Sequence, residues 1–330
     1  MKIPIFSQFM TGIALVCSIT SCFLFPKAPQ ALDVASVTQQ ESTYSQVYKT
    51  TYPTERKKST IYYPDAPEGT QLPVIAFLHG YFFFDITDTY EDTLINLASE
   101  GYIVLSLNYE DIKTPTADYV DIASTQIQDG IAYAQNLSVT PAVDENGEVL
   151  FGLMGHSAGG VTALNLASCY REKAIPKPRF VFTMSACDGG NSLVPTYDLS
   201  AIDPDTNLLM TFGEEEDDNV WHTNESSWNT LTQIPAERRQ WIVLYSDANG
   251  ADKLVADHNW MMTTANSSTV DSLRRYGCWK WSVAIANDTF YSKDRSLWYG
   301  GTAEQLFMGV WGAGTPVHTA KATNKEIFRS

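Results

Sequence analysis

The segment Val149-Leu150-Phe151-Gly152-Leu153-Met154-Gly155-His156-Ser157-Ala158-Gly159-Gly160 constrains this chain more than any other. An apolar run ends in Gly-His-Ser-Ala-Gly and passes at once into a helix-forming segment, Val161 to Tyr170. The pattern predicts a strand, a sharp turn and a helix, with a serine at the apex. Gly155 and Gly159 suit such a turn, because strained backbone angles and close strand–helix packing leave no room for a Cβ. The turn lifts the Ser157 hydroxyl clear of the sheet. It also sets the next backbone N–H at a helix N-terminus, where developing negative charge is stabilised. Ser157 is therefore the candidate nucleophile. The bland alternative is a glycine-rich turn with an inert serine.

With 330 residues the chain can bury a substantial core in one large α/β domain or two smaller ones. Its net charge of −16 disfavours contact with a phosphate backbone, so nucleic acid is set aside as a partner. Met1 to Leu24 reads as an export signal: Lys2 supplies the positive end, and Phe9 to Ile19 is an apolar core too short to span a bilayer comfortably. It closes on Ile19-Thr20-Ser21-Cys22, which resembles the bacterial lipobox, whose cysteine is lipidated. The expected organisation is a signal over 1–22, a polar tether over 23–43 and one domain over 44–330. The expected location is extracytoplasmic, anchored to a bacterial membrane through a lipid on Cys22. Beyond Cys22 the candidate thiols are Cys169, Cys187 and Cys278, an odd set that permits at most one disulfide and has no metal-ligand spacing.

Tyr44 to Tyr52 and Thr60 to Tyr63 are β-rich runs around a polar turn, which suggests a hairpin at a sheet edge. Leu72 to Leu78 is an unbroken apolar run, as expected of a strand buried on both faces and ending in His79-Gly80-Tyr81. Asp88 to Glu100 has helical spacing, Tyr102 to Leu107 is a second buried strand, Tyr119 to Leu137 a long helix and Val149 to Met154 the strand entering the turn. Arg179 to Met184, Leu208 to Phe212 and Trp241 to Tyr245 continue the alternation. Strands alternating with helices imply a mostly parallel, doubly wound α/β sheet with its site at the carboxyl ends of the strands.

The serine turn, the His-Gly at an earlier strand end and the strand order resemble the α/β-hydrolase fold. Within it, Pro73 to Tyr109 and the Ala186-Cys187-Asp188-Gly189 after a strand are similar to the chlorophyllase-like and polyester-hydrolase-like esterases. The resemblance implies a serine esterase acting on a small-molecule or lipid-like ester, without metal or organic cofactor, and it does not imply chlorophyll as the substrate. An acyltransferase or peptidase would use the same machinery. A surface-anchored binding protein on a dead hydrolase scaffold would have no use for an intact Gly-His-Ser-Ala-Gly.

A serine hydroxyl needs a histidine base, which a carboxylate must orient. In this fold the chain order is Ser, then Asp or Glu, then His, which sets aside His79 and His156. His258 is the chosen base, because it follows a strand through a turn-rich loop; His318 and His222 are alternatives. The acid should lie in Glu214-Glu215-Glu216-Asp217-Asp218-Asn219-Val220. Glu216 matches the spacing from Gly213 and Asp218 matches an aspartate-x-valine pattern. Asp218 is chosen, with Asp217 second. The acid run also reads as a solvated loop or, less readily, a weak calcium site. The backbone N–H groups of Tyr81 and Ala158 are the expected oxyanion donors. Phe82 and Phe83, in the Tyr81 to Phe84 run, are the expected apolar wall for substrate. Trp221, Trp228, Trp260, Trp279 and Trp281 are candidates for the same cleft or for plain core.

Overall fold

The computed structural model describes residues 29–33, 41–54, 58–81, 87–111, 113–190, 192–262, 271–312 and 314–324. The strands in chain order are β1 (Gln30–Asp33), β2 (Gln46–Tyr52), β3 (Ser59–Pro64), β4 (Thr70–Leu72), β5 (Val74–Leu78), β6 (Ile103–Leu107) and β7 (Val139–Pro141). They continue with β8 (Phe151–His156), β9 (Pro178–Met184), β10 (Asn207–Gly213), β11 (Arg239–Leu244), β12 (Asp247–Asn249), β13 (Asp252–Leu254) and β14 (Lys321–Thr323). The longer helices are α1 (Thr87–Ser99), α2 (Tyr119–Ala134), α3 (Ala158–Cys169), α4 (Asp218–Thr230) and α5 (Lys280–Tyr291).

Ten strands form one sheet in the order β1-β2-β3-β6-β5-β8-β9-β10-β11-β14. The six from β6 to β11 in that order are mutually parallel. Antiparallel strands flank them, β1 to β3 on one side and β14 on the other. Every residue of β5 and β6 is buried, which is why their sequences run apolar without alternation. Alternate side chains still go to opposite cores. Val74, Ala76 and Leu78 join α2 and α3 on one face, while Ile75 and Phe77 join α1 and α5 on the other. The fold is thus an α/β-hydrolase sheet with helices on both faces.

Two segments differ from what the sequence predicts, and the tryptophans take the second of their two expected places. The Leu72–Leu78 run splits at Pro73, which has no N–H to give a ladder: β4 pairs with β7 in a separate two-stranded sheet, and only β5 enters the main one. Within the segment expected to be a tether, Gln30–Asp33 pairs with β2 as an edge strand. The tryptophans are core: Trp228, Trp279 and Trp281 are fully buried, and Trp221 packs edge-on against Phe212 at 4.2 Å. Among the described residues no helix is long and apolar enough to cross a membrane. Residues 1–28, with the expected signal and Cys22, lie outside the described residues.

Candidate active site

Ser157 stands between β8 and α3 with φ 54° and ψ −123°, a left-handed backbone that a serine adopts only where its surroundings hold it. Two glycines make the turn possible. A Cβ on Gly155 would lie 2.2 Å from the carbonyl oxygen of Gly159, and one on Gly159 would lie 2.2 Å from that of Leu78. Backbone bonds lace the turn to the exit of β9: Ser157 N–H donates to the Met184 carbonyl at 3.0 Å, and Cys187 N–H donates to the Ser157 carbonyl at 3.1 Å. The hydroxyl therefore has a fixed origin before any partner is considered.

That partner is His258, whose Nε2 lies 2.9 Å from Ser157 Oγ. Its Nδ1 lies 2.9 Å from Oε2 of Glu216, a carboxylate buried at 7 % exposure. Ser157 comes from the end of β8, Glu216 from the loop after β10 and His258 from the loop after β11, so three carboxyl ends of parallel strands converge.

The carboxylate that meets the His258 ring is that of Glu216, not that of Asp218, the expected acid. Asp217 is the N-cap of α4 and accepts from Asn219 N–H at 2.9 Å and Val220 N–H at 3.1 Å, which commits its carboxylate to the helix start. Asp218 then falls in the first helical turn, exposed, where a negative charge complements the helix dipole. Glu214 and Glu215 are tethers. The Glu214 carboxylate accepts from Ser246 N–H at 2.7 Å, and the Glu215 carboxylate accepts from the Ser246 hydroxyl. Ser246 Oγ also accepts from Ala256 N–H at 2.9 Å, so this serine joins the acid loop to the loop that carries His258. Nothing in the sequence pattern singled out Ser246. Among the described residues no group of three or more His, Cys, Asp or Glu side chains is arranged to hold a metal.

The other histidines are elsewhere. His222 is exposed on α4, and His318 is exposed and stacked on Tyr245 at 4.6 Å. His79 is buried at the end of β5, where its Nδ1–H donates to the Gly80 carbonyl at 2.7 Å and Tyr109 Oη–H donates to the His79 carbonyl at 2.5 Å. These bonds hold the backbone that leads into Tyr81. Tyr81 is half-buried, and Ala158 opens α3, so its N–H is the first of the helix and has no preceding helical carbonyl to bond. Phe82 and Phe83 lie outside the described residues. Trp260 Nε1–H donates to Ser185 Oγ at 3.1 Å beneath the β9 exit. Cys169, Cys187 and Cys278 are all free, and burial raises each thiol, that of Cys278 to about 12.

Residues 30–185 match the model of the chlorophyllase family. The match spans the first edge strand, the His-Gly strand end and the serine turn, and it stops before Glu216 and His258. No curated protein matches the chain. The ten-stranded sheet and the family match over residues 30–185 together give this chain an α/β-hydrolase fold and a likeness to the chlorophyllase family, a family of ester-cleaving hydrolases.

Proposed function

We propose that this chain is a serine carboxylic ester hydrolase working through an acyl-enzyme on Ser157, His258 and Glu216. As Ser157 Oγ bonds to the ester carbonyl carbon, His258 Nε2 takes its proton. The carbonyl oxygen becomes an oxyanion facing the N–H groups of Ala158 and Tyr81, each such donor being worth on the order of 3 kcal/mol. Collapse of the adduct breaks the bond to the alcohol oxygen, which leaves with the proton from His258. Water then repeats the sequence on the acyl-enzyme, releasing the acid and restoring Ser157. Glu216 orients the imidazole and stabilises it while charged.

The observation that carries this reading is the pair of 2.9 Å contacts, Ser157 to His258 and His258 to Glu216, at a strained strand-to-helix turn. Ser157→Ala is expected to abolish hydrolysis of a p-nitrophenyl ester and labelling by a fluorophosphonate while leaving the melting temperature unchanged. Turnover by that variant comparable to wild type would sink the mechanism. Competing alcohol and amine acceptors in the same assay separate hydrolysis from acyl transfer.

We also propose that Cys22 is lipidated and holds the enzyme at a bacterial membrane on its outer side. The support is the apolar core ending in Ile19-Thr20-Ser21-Cys22. The expected result is incorporation of labelled palmitate by wild type and its loss in Cys22→Ser. A wholly soluble wild-type protein with a different mature N-terminus would refute the anchor.

A further inference from the structure

We propose that His156 and Tyr90 are positioning residues, holding the backbone of His258 in fixed relation to the strand end that carries Tyr81. This inference rests on the serine esterase reading. His156 adjoins Ser157 in sequence but closes β8, so its imidazole goes to the other side of the turn, where it is wholly buried. The ring lies 4.9 Å, centroid to centroid, from that of His258.

The directions of the hydrogen bonds follow from chemistry. His156 Nε2 is 2.9 Å from the backbone carbonyl of His258, and a carbonyl only accepts, so Nε2 carries a proton. Burial, with the neighbouring His258 as a second cause, keeps this imidazole well below the ordinary histidine range and therefore neutral. Its Nδ1 is then an acceptor, and Tyr90 Oη–H, 2.6 Å away, donates to it. Tyr90 Oη in turn accepts from Gly80 N–H at 3.3 Å. The chain runs from Gly80 through Tyr90 and His156 to the main chain of His258.

Each end of that chain meets a part of the reaction. Glu216 fixes the His258 ring at Nδ1, but a ring held at one atom still swings if its backbone moves; the bond from His156 restrains that backbone. At the other end, Gly80 N–H begins the turn that delivers Tyr81 N–H to the oxyanion. The relay therefore sets the distance between the proton acceptor and one of the oxyanion donors, and neither of its side chains touches substrate. A displacement of about 1 Å of a reacting group costs up to about a hundredfold in rate.

The test compares wild type with His156→Leu, His156→Gln and Tyr90→Phe, well below the unfolding temperature of each. The measurements are kcat and KM for a p-nitrophenyl ester across pH and the rate of fluorophosphonate labelling at Ser157. His156→Leu is expected to lower kcat by about 30- to 100-fold with KM within about threefold, because positioning and not binding is lost. His156→Gln keeps a donor near the position of Nε2 and is expected to recover to within about fivefold of wild type. Tyr90→Phe, one oxygen smaller, should lose about five- to tenfold. The midpoint of the pH profile should stay where it is, since no charge changes while the plateau falls. A packing role alone would lower the melting temperature without this kcat-against-KM split or the glutamine rescue. A folded His156→Leu with wild-type kcat, or a glutamine variant no better than leucine, overturns the relay. Should His156→Leu not fold, Tyr90→Phe decides, and an unchanged kcat there overturns it equally. Wild type that fails to label overturns the esterase reading itself, whereas labelled wild type with unaffected variants overturns only the relay.

Discussion

Glu216 and Asp218 are two positions apart and do unrelated things, and a helix start is what separates them. Asp217 caps α4 with two bonds to backbone N–H groups, so Asp218 is already helical and exposed, while Glu216 is still in the loop and buried against His258. Glu216→Gln is therefore expected to lower kcat by about a thousandfold or more, since an amide neither stabilises the imidazolium nor enforces its tautomer. Asp218→Asn should stay within about threefold of wild type in the same steady-state assay. A large loss at Asp218 with little at Glu216 would reverse the assignment. The placing of Ser157 beside His258, 2.9 Å apart, was legible because a strained turn needs its glycines and because His258 follows a strand end through a turn-rich loop. The carboxylate that meets His258 was not, since spacing from Gly213 favours Glu216 and an aspartate-x-valine pattern favours Asp218. What separates the two in the structure is the helix cap at Asp217.

Between β10 and β11 the site depends on how two loops are joined. Of the five acids after Gly213, Glu214 and Glu215 are tethers, Glu216 meets the His258 ring, Asp217 caps α4 and Asp218 lies exposed in its first turn. Ser246 gathers the first two and, through Ala256 N–H, the loop of His258. Ser246→Ala keeps the backbone bond to Glu214 and loses both bonds of the hydroxyl. It is expected to cost about three- to tenfold in kcat with KM nearly unchanged, and steady-state kinetics on a p-nitrophenyl ester checks this. Wild-type kcat would mean that the loops hold themselves. The six parallel strands could be read from continuous apolar runs, because burial on both faces leaves no polar alternation. The edge strands β1 and β14 could not. Gln30-Ala31-Leu32-Asp33 and Lys321-Ala322-Thr323 are short and polar enough to pass for loop, and only their partners β2 and β11 make them strands.

For the molecule as a whole, the charge is unevenly placed. The loops that supply Glu216 and His258 carry five carboxylates in 214–218 and three in 247–257, against Lys253 alone. Negative potential at the mouth of a site raises the local concentration of cations and lowers that of anions. At low ionic strength kcat/KM for an ester with a quaternary ammonium group should exceed that for an isosteric carboxylate-bearing ester by about tenfold. The ratio should shrink towards one at 0.5–1 M salt, where the Debye length is down to about 3–4 Å. Equal rates at low salt would show that the field does not reach the reacting ester. The family match ends at residue 185, so it covers the nucleophile but neither partner. One consequence of β1 concerns distance. The strand begins at Gln30, eight residues past Cys22, and a fully extended chain spans at most about 3.6 Å per residue. If Cys22 is the lipidated residue, the leash from membrane to sheet is under about 30 Å however long the polar stretch after β1 is. Such an enzyme would meet esters in or beside its own bilayer and have little reach to those on a neighbouring surface.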